Sequence, residues 1–322
     1  MNEQHTNPSS PPSRAARSAA HPSSRPELYR WSAATRAAVW SLLAAALLAA
    51  GCTTIAPVEN MAPSSAPAPV FTHELLGDVL NRYVDDAGRV NYTALRRDPA
   101  ELERYYCLVS LYSPESHPEL FPTEQSRLAY WINGYNAAVL KTVLHHYPIS
   151  SVSDVEPPFF LFFMPQNSGF FYFQRPIFGG ESTSLYDLEK DIIRKRFGEP
   201  RIHFALNCAS GGCPHLPNTA FSSEHLEEEL DRETRKFLAE ERNLRIAHEE
   251  QAIYLSSLLS WYEEDYLDWY RREFLGSEPG ILDYVRLYLT ESRAQEIARL
   301  ADSYQIRFTP YDWRLNDRLA AE

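Results

Sequence analysis

The sequence predicts an α+β fold, a mostly helical single domain around a small sheet. Three observations predict it. Apolar residues recur at helical spacing through most of the chain, whereas short extended pieces broken by proline and glycine occur only in the middle and towards the end. No second linker and no internal repeat divides the roughly 250 residues after position 70, enough for one large core.

The N-terminal part lies outside that domain. Residues 1–51 carry scattered arginines and Ser/Pro/Ala filler, then "AAVWSLLAAALLAAGC". The apolar run, about fourteen residues, is short for a membrane span and suits the hydrophobic region of a signal peptide. It ends at Gly51-Cys52 and resembles a bacterial lipobox, although Ala49 stands where such boxes usually carry Leu. The expectation is a lipoprotein signal peptide over 1–51, cleaved so that an acylated Cys52 becomes the N-terminus. The bilayer is then a partner through that cysteine. Thr53 follows it, which favours the outer membrane facing the periplasm. Residues 52–70, rich in Pro, Ala and Ser, read as a tether that lifts the domain 71–322 off the membrane.

Removing the leader takes away five arginines and two glutamates, leaving 26 basic against 41 acidic residues and a net charge near −15. Nucleic acid repels such a surface, so no DNA or RNA partner is expected. A protein or small-molecule partner remains unnamed by composition.

Within the domain, "FTHELLGDVLNRYV" puts Leu75, Leu76, Val79, Leu80 and Tyr83 on one helix face. Pro99 starts a second helix over "PAELERYYCLVSLY", where Cys107 reads as a small buried hydrophobe. Thr123 opens the longest periodic segment, "TEQSRLAYWINGYNAAVLKTVLHHY", which Pro148 stops. "PPFFLFFMPQNSGFFYFQRPIFGG" predicts short extended pieces and a hairpin, its rings either core or a contact surface. "SLYDLEKDIIRKRF" returns to helix, capped by Ser184 with Asp187 three residues on. "RIHFAL" is expected to be a strand, "SSEHLEEELDRETRKFLAEE" a charged surface helix and "LRIAHEEQAIYLS" two strands around a turn. "PGILDYVRLYL" and "SRAQEIARLAD" are helical, and "YQIRFTPYDWRLN" closes the chain like a strand.

Chemistry concentrates in "RIHFALNCASGGCPHLP" (201–217), which has two cysteines and two histidines. Three readings stand side by side. In the first, Cys208 is a thiol nucleophile, which needs a base such as His203 or His215 and a group such as Asn136 or Asn133 to orient the imidazole. In the second, Cys208 and Cys213 form a disulfide, as export permits. In the third, His203, Cys208, Cys213 and His215 hold zinc, but their spacing is unlike the usual paired knuckles. No metal and no cofactor is therefore expected.

"YWINGYNAAVLKTVL", "RIHFALNCASGGCPHLP" and "YDWRLN", in that order, resemble the signature blocks of the family known as domain of unknown function 547, over about 123–316. That family occurs in exported bacterial proteins and in plant proteins. His215 departs from it, since Pro is frequent there, which weakens the zinc reading. The resemblance implies attention to Trp131, Asn133, Asn136, His203, Asn207, Cys208, Ser210, Cys213, Tyr311, Asp312, Trp313 and Asn316. It implies no reaction.

A helix followed by a sheet is also a distant analogy to papain-like and transglutaminase-like thiol enzymes, at the level of fold alone. Two functions follow. One is an envelope thiol hydrolase or acyltransferase with Cys208 as nucleophile, His203 as base, Asn136 or Asp312 as the orienting group and "ASGG" amides as oxyanion donors. Trp131, Asn133, Asn207, Ser210 and Trp313 would then bind. The alternative is a non-catalytic binding or scaffold lipoprotein with the two cysteines oxidised.

Overall fold

Thr123 sets the register of the central element. Its hydroxyl accepts from the Ser126 amide (3.0 Å) while Ser126 Oγ accepts from the Thr123 amide (3.1 Å), a reciprocal cap. The computed structural model describes residues 52–58, 71–161, 163–165, 167–275 and 278–318. The signal-peptide expectation over 1–51 falls outside them. Among the described residues no helix is long and apolar enough to cross a membrane.

The first helices are α1 (Glu74–Tyr83) and α2 (Ala100–Leu111), followed by the capped helix α3 (Glu124–His146). Every residue of α3 from Leu128 to Leu140 is buried, including Asn133 and Asn136. A helix enclosed on all sides has no need of a polar face, which is why its apolar pattern runs so far round. Cys107 is buried on α2 as expected.

Two small sheets flank this core. In the first, β1 (Thr53–Ile55) runs parallel to β2 (Gln174–Phe178), which turns back into β3 (Glu181–Ser182). In the second, β4 (Leu244–Ala247) and β5 (Ala252–Ser256) form the expected hairpin, and β6 (Gln305–Thr309) lies parallel to β5. The fold is α+β in one domain.

Three expectations need correction. Thr53–Ile55, placed in the tether, is a strand whose Ile55 is 2 % exposed. Phe71, beyond residues 59–70, is also buried, packed on Phe121 and Tyr130. Ile55 and Phe71 are thus both packed into the domain, while residues 59–70 lie outside the described residues.

The aromatic stretch is less extended than expected. Phe159–Leu161 is a 3-10 turn and Ser168–Phe171 a short helix; the hairpin begins only at Gln174. Gly169 explains the helix turn. A β-carbon there would lie 1.8 Å from the Val155 carbonyl oxygen, so the backbones meet without side chains between them.

"RIHFAL" is no strand: Pro200–Phe204 is a 3-10 helix. Pro200 sits at its first position, where its missing amide costs nothing, and Glu199 accepts from the Arg201 amide at 2.9 Å. Local capping wins over alternation. With three residues per turn, Ile202, His203 and Phe204 point in three directions. Ile202 joins the core around α3, and Phe204 joins a second core built on β4, β5 and the helices around them. His203 is left between the two.

Candidate functional site

A cavity of about 800 Å³ opens where the two cores meet. The first core supplies Tyr135 and Leu206; the second supplies Leu258 and Tyr262. Cys208, Cys213 and His203 line it.

The floor is the cysteine loop, and most of its backbone amides are bonded within the protein. Cys208 and Cys213 are joined in a disulfide. Asn136 donates to the Ala205 carbonyl (3.0 Å) and accepts from the Asn207 amide (2.9 Å), fixing the loop to α3. Asn133 holds Phe221 in the same two-sided way, at 2.8 and 3.0 Å. Asn207 caps the Ala209 amide (2.9 Å) and donates to the Pro214 carbonyl (2.8 Å). Those bonds hold Ala209 at φ +61°, a left-handed conformation that a residue with a β-carbon rarely adopts.

The C-terminal segment clamps the loop from the other side. Gly211 N donates to the Arg314 carbonyl (2.7 Å), Gly212 N to the Asp312 carbonyl (2.8 Å), and Asn316 N to Ala209 (3.0 Å). A β-carbon on Gly212 would lie 2.8 Å from the Tyr311 ring. The small residues therefore admit the chain's own C-terminal strap, where the sequence reading has them admitting a ligand. The Gly211 and Gly212 amides are bonded to carbonyls of that strap and the Ala209 amide to Asn207 Oδ1, so three of the four "ASGG" amides are taken from the assigned oxyanion role. Asn316 joins the same network, accepting from Tyr92 Oη at 2.8 Å.

The histidine has a different partner from those expected. His203 is 3 % exposed and its Nε2 lies 2.7 Å from Asp265 Oδ2. A carboxylate only accepts, so Nε2 carries the proton. Arg194 binds the same carboxylate at 2.7 and 3.0 Å, and the Tyr262 ring stacks on the imidazole at 3.7 Å. Burial pushes the His203 pKa below its ordinary value, although Asp265 pulls the other way. Burial would raise Asp265, but hydrogen bonds from His203 and Arg194 outweigh it and hold the carboxyl well below the usual range.

Asn136 and Asp312 do not orient the imidazole. Asn136 is spent on the loop backbone, and Asp312 forms a two-pronged pair with Arg314 (2.9 and 2.7 Å). His203 and Cys208 share the cavity wall, yet no hydrogen bond joins them. The zinc quartet does not converge either: His215 faces Glu240 at 3.5 Å. Among the described residues no group of three or more His, Cys, Asp or Glu is placed to hold a metal.

Tyr311 covers the disulfide. Its hydroxyl lies 3.1 Å from Cys208 Sγ and 3.2 Å from Cys213 Sγ, and Ser210 Oγ is 2.9 Å from Cys208 Sγ. Disulfide sulfur has no proton, so both hydroxyls donate. Burial raises the Tyr311 pKa.

The walls are aromatic. Trp261, 51 % exposed, stacks on Trp313 at 5.9 Å and meets Tyr311 at 4.7 Å. Tyr172 stacks on Tyr186 at 4.2 Å as a second platform. Of the expected binding residues, Trp313 lines the cavity, whereas Trp131 is core against Tyr130. Glu189, Lys190 and Arg194 reach the cavity from the helix over 185–197, whose middle, Leu188–Arg194, is a wider π-helical stretch. Such stretches re-aim side chains and recur at functional sites.

Asp265, Tyr262 and Trp261 had no prediction behind them. Trp261 ends the helix Ser257–Trp261, Asp265 lies in the first turn of Glu263–Glu273, and Tyr262 is the junction between them, all within "LSWYEEDYLDWY". The signal was there, acid and aromatic residues crowded together in the sequence.

Residues 120–238 match the family model described as protein of unknown function, DUF547. The match spans α3, the cavity helix over 185–197 and the cysteine loop, and it supports the resemblance read from the sequence. The C-terminal strap lies beyond it. No curated protein and no solved structure matches the chain. A papain-like site would need a cysteine at the start of the central helix, and α3 begins Thr123-Glu124.

Proposed function

We propose that this DUF547-like protein is a lipid-anchored envelope protein that binds a ligand in the aromatic cavity above the Cys208–Cys213 disulfide, and that it does so without covalent chemistry. One observation carries the reading: the sulfur that would have to be a thiolate is already bonded, at the floor of a cavity of about 800 Å³. That volume falls in the range of small-molecule sites. Two stacked platforms, Trp261–Trp313 and Tyr172–Tyr186, suit flat groups with an apolar face, and Lys190 suits an anionic substituent.

Export supports the reading independently. Disulfides persist in oxidising compartments, and the Gly51-Cys52 sequence leaves Cys52 exposed for acylation. Metabolic labelling with an alkyne-bearing fatty acid should mark the protein and fail with Cys52→Ala. For the cavity, anilinonaphthalene sulfonate, a flat anionic probe, should bind at one saturable site. Trp261→Ala and Lys190→Ala should each weaken that binding at least about tenfold, a loss of roughly 1.4 kcal/mol. Equal binding by all three proteins would remove the cavity as the ligand site.

A thiol hydrolase or acyltransferase is the second reading, favoured by one specific observation: the His203–Asp265 pair lines the same cavity as Cys208. It requires reduction first. A thiol-directed activity probe should then label Cys208 only with reductant present, and Asp265→Asn should slow the labelling. Labelling independent of both His203 and Asp265 would leave the binding reading alone.

A further inference from the structure

The anchor and the cavity are neighbours. Thr53 N donates to the Phe173 carbonyl at 2.9 Å, and Thr53 pairs with Gln174. Cys52 is therefore one Cα–Cα step, about 3.8 Å, from a residue fixed to the cavity wall, because Phe171 and Tyr172 line the cavity. An acyl group on Cys52 has no spacer with which to lift the domain away.

The same wall is apolar on its outside. Phe159 is 81 % and Phe163 72 % exposed, on the loop that supplies Pro165 and Asn167 to the cavity. Tyr172 and Trp261 are also exposed at the lining. Aromatic rings with one polar edge favour the headgroup level of a bilayer. The net negative charge of the chain gives no attraction to anionic headgroups, so an aromatic patch is what can set the orientation of an anchored domain.

From this placement we infer that the cavity mouth lies on the bilayer surface, with Phe159, Phe163, Tyr172 and Trp261 seated at the headgroup level, and that the ligand is an amphiphile taken from the membrane. This rests on acylation of Cys52. Lys190 on the cavity lining then supplies a cation for the phosphate of such a molecule, Arg194 being paired with Asp265. The strongly charged helix Leu226–Ala239 is unsuited to contact with lipid.

Hydrogen exchange tests it on the processed protein purified from its own envelope. The protein is placed in nanodiscs of phosphatidylethanolamine and phosphatidylglycerol and compared with the Cys52→Ser form free in solution. Peptides covering 157–173 and 258–263 should exchange about tenfold more slowly in the discs, with those of the charged helix 226–239 unchanged. Phe159→Glu with Phe163→Glu should abolish that protection while the Cys52→Ser background still binds anilinonaphthalene sulfonate. An acylated protein in discs whose 157–173 peptides exchange as fast as in solution overturns the orientation alone. A mass spectrum without an acyl group on Cys52 overturns the anchor, and the orientation with it.

Discussion

The two walls of the cavity are built on opposite principles. The cysteine loop, 207–213, is tied down through its backbone: Asn136, Asn207, Asn316 and the Asp312–Arg314 strap use amide after amide. The facing aromatic segment, 157–173, instead presents rings to solvent at Phe159, Phe163 and Tyr172. Residues that stand out in the sequence as chemistry thus serve mainly to fix a rigid floor. The exposed rings lie on the aromatic stretch that the sequence left between core and contact surface. Rigidity on one side and apolar exposure on the other is what a binding site requires.

The contrast breaks most visibly at Asn136. Alanine there strands the Ala205 carbonyl and the Asn207 amide in the interior, at about 1–3 kcal/mol each. Urea unfolding of Asn136→Ala should show a loss of roughly 2–6 kcal/mol. A loss below about 1 kcal/mol would mean that water or a rearranged loop serves those groups equally well.

Next comes the disulfide. Closing so short a loop is worth about 2 kcal/mol in the chain-entropy account. Cys208→Ser with Cys213→Ser should be less stable than the parent by that amount, and the two should agree once reductant is added. A difference that survives reductant would assign the loss to the serines.

The third effect depends on pH. The unfolded chain protonates histidine near 6.5, while burial lowers the native value for His203. Between those values the unfolded state binds the extra proton, so stability falls as pH drops below 6.5 and is full above it. The slope for one proton is at most about 1.4 kcal/mol per pH unit. His203→Gln should make the profile shallower in that window, leaving the share due to His73, whose value burial lowers to about 3. An unchanged profile would mean that another group controls it.

The smallest effect on stability belongs to the open wall. Trp261 is half exposed, so Trp261→Ala should change unfolding by less than about 1 kcal/mol. Probe binding should nonetheless weaken about tenfold. A large loss of stability would make Trp261 a packing residue and blur the distinction between the walls.

How much of this was legible follows the range of each interaction. The long helix, the Ser184 cap and the β4–β5 hairpin are local, and periodicity or capping residues reveal them. "RIHFAL" misled because alternation was read before Pro200 and Glu199, whose cap sets a 3-10 turn instead. The site itself is long-range. His203 and Asp265 are 62 positions apart and meet only because the two cores close on the helix between them. The glycines of "ASGG" were noticed for a sound reason, close approach, but what approaches is a strap a hundred residues further on. Residues 53–55 show the same limit: the lipobox-like sequence before them is local, whereas the pairing of Thr53 with Gln174 is announced by no local pattern.

The most direct test of the central claim is the state of Cys208 in the cell. Cells are quenched in acid and thiols alkylated at once; the protein is then reduced, alkylated with a second, heavier reagent and cleaved after arginine. The account predicts that the peptide running from Ile202 to Arg232 carries the heavy label on both Cys208 and Cys213. Light label on Cys208 in protein taken straight from the envelope would contradict it and return the thiol to the centre of the chemistry.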